Sequence, residues 1–118
     1  MSPKQARNLW VEALRSGKYR KYEGWFKAMD TNGKFRYCVL GVAIDLAIKN
    51  GVLKNADERF PTTVPDDVKK WLILSTSDCV HLQYLNDDPI EIGNDVSYTT
   101  FEEISHVIEN LPLSNRTN

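Results

Sequence analysis

The residues of this 118-residue chain best suited to chemistry lie in one run, Lys18-Tyr19-Arg20-Lys21-Tyr22-Glu23-Gly24-Trp25-Phe26-Lys27, where cations alternate with aromatic rings. Ammonium and guanidinium groups neutralise phosphates while aromatic faces stack on bases, so the mixture suits a nucleotide or a single-stranded nucleic acid. Gly24, set among the rings, would let a ligand approach the backbone. The same alternation also describes a structural strand with Tyr and Trp turned inward and Lys and Arg outward. Downstream, Arg36 adds a cation, and Asp45 stands as the single carboxylate of an apolar run. Asp45 either pairs with Lys49 one helical turn on, or faces a cleft opened by Gly41 and binds a ligand hydroxyl. The candidate ligand-binding set is thus Lys18, Tyr19, Arg20, Lys21, Tyr22, Trp25, Lys27, Arg36 and Asp45.

Cys38 is the one candidate nucleophile. A thiol at a strand-to-helix junction feels the helix dipole, which lowers its pKa, and His81 or His106 would then act as base. Its neighbours Val39 and Leu40 are apolar, which favours a buried, inert thiol. The two histidines have no metal-ligand spacing, and Asn86-Asp87-Asp88 lacks the twelve-residue spacing of a calcium loop. Cys38 and Cys79 form neither a CxxC nor a Cys/His cluster, so neither a zinc site nor a disulfide framework is expected. Phosphate-binding GxxxxGK[ST] and GxGxxG are both missing, and the sequence calls for no cofactor and no metal.

Charge divides the chain. Residues 1–36 hold nine Lys or Arg against three acids, a net +6, and the remainder holds six against thirteen, a net −7. A basic third can steer anions even though the whole chain carries −1. Packing of the two parts against each other would neutralise the same asymmetry. A pI near 6.1 is unhelpful to a nucleic-acid binder, since such domains are basic throughout. With 42% apolar residues and no run near the length of a membrane span, the chain reads as one globular domain over 1–113, cytoplasmic, with a disordered tail at 114–118.

The elements that must position these residues read as an α+β fold. Ser2, Pro3 and Gln5 open a first helix whose stripe is Ala6, Leu9, Trp10, Ala13 and Leu14, and Gly17 stops it. A β-hairpin follows at about 25–38, with arms Trp25–Met29 and Lys34–Cys38 around Asn32-Gly33. It packs on a buried central helix over 38–50 that is apolar on almost every side. Further helices are expected at about 65–73, with Val68, Trp71 and Leu72 inward, and at 100–111, where a Thr and a Glu three residues apart form a capping box. Between them, 75–96 is open to a short strand or a helical turn, with turns at Asn86-Asp87-Asp88-Pro89 and Gly93-Asn94-Asp95.

The order Ala13-Leu14-Arg15-Ser16-Gly17-Lys18-Tyr19, Cys38-Val39-Leu40-Gly41-Val42, Leu85-Asn86-Asp87 and Thr100-Phe101-Glu102-Glu103-Ile104 resembles a group of small bacteriophage and prophage proteins. In that group ALRSGKY, CCLGV, LND and SFEEIA segments follow one another. Val39 here replaces the second cysteine. The resemblance implies a viral origin and carries no agreed activity. Small accessory phage proteins often block a host factor, including defence systems that signal through nucleotides, and that step is analogy. The expectation is a non-catalytic, phage-type binding protein that sequesters a phosphate-bearing, nucleotide-like small molecule or blocks a host defence protein. A small cysteine hydrolase and a nucleic-acid-binding module are the alternatives. No membrane partner is expected, and self-association stays open.

Overall fold

Helix α1 (Pro3–Arg15) begins as its sequence dictates. Ser2 Oγ accepts from the Gln5 N–H while Gln5 Oε1 accepts from the Ser2 N–H, closing a capping box with Pro3 at the first helical position. Gly17, at φ +77°, turns the chain after the last turn. The structure, a computed structural model, describes residues 1–24, 26–54 and 63–113. Trp25 and the tail 114–118, named above, lie outside the described residues.

After α1 come β1 (Lys27–Met29) and β2 (Phe35–Tyr37), antiparallel, with Met29 opposite Phe35. The segment at 20–22 runs parallel beside β2, through Tyr22 N–H to the Tyr37 carbonyl at 2.8 Å and Tyr37 N–H to the Arg20 carbonyl at 2.8 Å. Both arms are shorter than the expected 25–29 and 34–38. Phe26 takes a left-handed φ of +43°, which ends the first arm, and Cys38 leaves the second arm to cap the next helix.

That helix, α2 (Val39–Lys49), is the centre of the fold. Every residue from Val39 to Ala47 is buried, and α1, β2, α3 (Asp66–Leu72) and α4 (Thr76–Asp87) pack around it. The hairpin meets it at one tight point. A Cβ on Gly41 would lie 1.9 Å from the Phe26 carbonyl oxygen, so Gly41 opens no cleft beside Asp45: a backbone carbonyl of the hairpin lies against it. Gly24 is no ligand approach either, because the Tyr22 ring fills the place of its missing Cβ at 2.6 Å.

Helix α3 ends where Ile73 adopts φ +52°, and of its expected inner row Val68 and Leu72 are buried while Trp71 is half-buried. Segment 75–96, open between strand and helical turn, is a three-turn helix followed by a hairpin. Ser75 and Asp78 form the capping box of α4, and β3 (Pro89–Ile92) pairs with β4 (Asp95–Tyr98). Asn86 and Asp87 therefore complete a helix and are not the turn expected of them. Helix α5 (Phe101–Glu109) starts at the Thr100–Glu103 box and packs along α1. It ends two residues before the expected 111. One core joins Ala6, Trp10, Val42, Ile44, Leu72, Leu82, Ile104 and Ile108. Among the described residues no helix is long and apolar enough to cross a membrane.

Candidate functional site

Most of the candidate residues come from the stretch 18–27, with Arg36 and Asp45 downstream, and the fold distributes them to three places. Arg20 and Arg36 converge on Asp30 of the β1–β2 loop, at 2.9 Å and 3.9 Å. The Asp30 carboxylate is held below its usual range, first by the Lys34 backbone N–H and then by the Asn32 N–H and the charges of the Arg20 and Arg36 guanidinium groups. Lys27 stands over the Phe35 ring at 4.0 Å. Lys21 and Tyr22 lie against the end of α4. Lys21 Nζ donates to the Asn86 carbonyl at 2.6 Å and to Glu23 at 2.7 Å, and the Tyr22 carbonyl accepts from Asn86 Nδ2 at 2.9 Å. Asn86 is fully buried, and its Oδ1 takes the Val39 N–H at the start of α2.

The third place brings Lys18, Tyr19 and Asp45 together. A cleft of about 540 Å³ opens between the second half of α1 and the end of α2, walled by Leu9, Glu12, Ala13 and Ser16 on one side and by Lys18, Tyr19, Tyr37, Leu46 and Lys49 on the other. The Tyr19 hydroxyl donates to Asp45 Oδ2 at 2.5 Å and accepts from Lys49 Nζ at 3.2 Å, while Lys49 and Asp45 pair at 2.9 Å. Tyr37 meets Tyr19 edge to face, ring centres 5.0 Å apart. A second, smaller cleft of about 340 Å³, also lined by Tyr19, is bounded by Arg15, Lys21 and Tyr98. Tyr19 thus lines two clefts, with Lys18 and Lys49 in the wall of one and Arg15 and Lys21 in the wall of the other. Sequence reasoning placed Lys49 here only as the ion-pair partner of Asp45, and it missed Tyr37.

Burial, followed by the Asp45 hydrogen bond, pushes the Tyr19 phenol up to about 12. Lys49 is raised above its ordinary value, first by its hydrogen bond to Asp45 and next by Tyr19. Both groups keep their protons at neutral pH, which leaves an ammonium and a neutral phenol at the cleft wall. The unfolded phenol ionises near pH 10 and the folded one about two units later. The unfolded chain thus loses the proton first, so stability should fall as pH climbs from about 10 to about 12. Ultraviolet titration of phenolate should show a late-ionising tyrosine that Tyr19→Phe removes, while Tyr37, raised by burial, and Tyr84, raised by its hydrogen bond to Asp88, stay above the ordinary value in the variant. A titration in which every phenol ionises near pH 10 contradicts the arrangement.

Cys38 is placed as expected at the start of a helix, and its sulfur caps that helix by accepting the Gly41 N–H at 3.3 Å. Burial, the largest cause, pushes the thiol up despite the backbone N–H groups around it. The sulfur's other partner is Gln83 at 3.4 Å. His106 bonds instead to Arg15 at 3.1 Å and lies 3.4 Å from Glu109, and His81 is exposed on α4. Another cleft of about 540 Å³ runs along α4, lined mainly by apolar groups such as Phe26, Leu40, Val64, Cys79, Val80 and Tyr84. Its cation, Lys69, pairs with Asp66 at 3.2 Å, and burial pushes Cys79 up to about 11. Among the described residues no group of three or more His, Cys, Asp or Glu could hold a metal ion.

No curated protein and no solved structure matches the chain. A family model spans nearly all of this arrangement, from the capping Ser2 to Pro112, whose carbonyl Arg7 holds. By that match over residues 2–112 the chain belongs to the family described as Domain of unknown function (DUF8296).

Proposed function

We propose that this chain is a non-catalytic, phage-type accessory protein of the host cytoplasm that captures a phosphate-bearing, nucleotide-like small molecule in the clefts beside Tyr19. The observation that carries the reading is the half-buried tyrosine that lines both clefts, with Lys18 and Lys49 at one and Arg15 and Lys21 at the other. Rings give a base a stacking surface and ammonium groups give a phosphate its counter-charge. A cavity of about 540 Å³ is also the size that small-ligand sites take. The α4 cleft is the weaker candidate for an anion, because its described lining is mainly apolar and sets Asp87 and Asp88 beside Lys69. Capture without turnover agrees with a capping sulfur that is buried and raised in pKa.

Calorimetric titration with AMP, cyclic AMP and ADP-ribose tests the proposal. At least one should bind stoichiometrically, and binding should weaken as salt rises. Lys18→Ala, at an exposed position, should leave the melting temperature unchanged and weaken binding by about tenfold or more, the worth of one charge-assisted contact. If no nucleotide binds, or if Lys18→Ala binds as tightly as the native chain, the proposal fails.

A further inference from the structure

Two hairpin arms project from the core with opposite chemistry. In the β3–β4 arm every described side chain is exposed, Val96 and Tyr98 by 59% and 43%, and among the described residues the strands pair only with each other. Such a two-stranded ribbon is marginal in water by itself. The flanking stretch 85–98 contains Asp87, Asp88, Glu91 and Asp95 and no Lys or Arg. The β1–β2 arm is the complement. Met29 and Phe35 are exposed by 61% and 43%, and Lys27, Lys34 and Arg36 outnumber its one acid, Asp30.

Strand register puts one charge of each sign among the apolar groups, Glu91 on one arm and Lys27 on the other, and leaves Asp95 and Arg36 on the opposite faces. Opposed residues share a face and the faces alternate, so Glu91, Val96 and Tyr98 lie together on one arm and Lys27, Met29 and Phe35 on the other. Lys21 joins the bases of both arms, through backbone pairing with Tyr37 and through its ammonium 5.6 Å from the centre of the Tyr98 ring. Like arms would repel, acid against acid.

We propose that two copies of this chain dock reciprocally, the acidic β3–β4 arm of each covering the basic β1–β2 arm of the other. A contact in which each copy supplies both halves closes at two and leaves neither apolar face in water. Sedimentation equilibrium of the full chain tests it. The native chain should be a dimer that weakens as salt rises from about 0.05 M to about 0.5 M. Glu91→Lys, at an exposed position, and Lys27→Glu, at a half-buried one, should each weaken the dimer by about tenfold or more. Mixing the two variants should restore it, since the heterodimer pairs every reversed charge with its opposite. Circular dichroism melts confirm that both variants fold. A native chain that stays monomeric at all concentrations overturns the proposal, whether or not its basic arm binds a polyanion. So does a dimer indifferent to both reversals, or one that mixing does not restore.

Discussion

Gly41→Ala is expected to cost at least about 3 kcal/mol, a large fraction of the stability of a domain this size. The new methyl carbon would sit 1.9 Å from the Phe26 oxygen, 2.7 Å from its carbonyl carbon and 3.0 Å from its Cα, all backbone atoms. The hairpin cannot retreat cheaply. That carbonyl accepts the Cys38 N–H at 2.9 Å, and the Phe26 side chain is itself core, 2% exposed. Moving the strand away would break a bond at the start of α2 and draw a phenylalanine out of the interior. Urea denaturation followed by circular dichroism reads the loss. A variant within 1 kcal/mol of the native chain, on the order of an ordinary surface change, would contradict this packing.

Arg7→Met is expected to cost about 3–5 kcal/mol, a fall in melting temperature on the order of 15 °C. Arg7 is 4% exposed, and its guanidinium gathers carbonyl oxygens from the ends of two helices. Its Nε donates to Leu72 and a terminal nitrogen donates to Ile73 at 2.7 Å, closing α3. The remaining donors reach Ile108 at 3.2 Å, Leu111 at 3.1 Å and Pro112 at 3.2 Å, closing α5. Each helix presents its negative dipole end and its unpaired carbonyls there, and one planar fork serves both. Methionine keeps the stem's packing and removes every donor. Lysine should recover only part of the loss, because one ammonium cannot span both ends. A thermal melt of Arg7→Met that coincides with the native curve would contradict the role.

Arg7 also shows what the sequence does and does not disclose. Counted by charge, it is one of nine cations in a basic third. Counted by position, it stands with Trp10, Val11 and Leu14 at three-, four- and seven-residue spacing, on the buried face of α1. The helices with apolar stripes, α1, α2, α3 and α5, were legible for that reason. Helix α4 was not, because its inner row mixes Asp78 and Asn86 with Cys79 and Leu82 while Val80 and Tyr84 face outward. Two buried polar residues and two exposed apolar ones erase the period. The ends of the hairpin arms were illegible for a different reason: they depend on the backbone twist at Phe26 and its contact with Gly41, which no local pattern records.

The site was legible in its residue types and not in its pairings. Arg20 and Arg36 share Asp30 only because the hairpin register and the adjacent parallel segment bring all three together. Lys21 meets Asn86 across 65 positions of chain. Asp45 and Lys49, four apart on one helix, could be paired on paper, whereas Tyr19 joins them only once α1 and α2 are packed.

Nuclear magnetic resonance mapping of the isotope-labelled chain during titration with AMP, cyclic AMP and ADP-ribose tests the central claim most directly. The account predicts that the backbone signals of Lys18, Tyr19 and Lys49 shift together and saturate, with the signals of Lys27 and Arg36 on the outer hairpin left in place. Shifts confined to Cys79, Val80 and Tyr84 along α4, or no shifts with any of the three nucleotides, would contradict it.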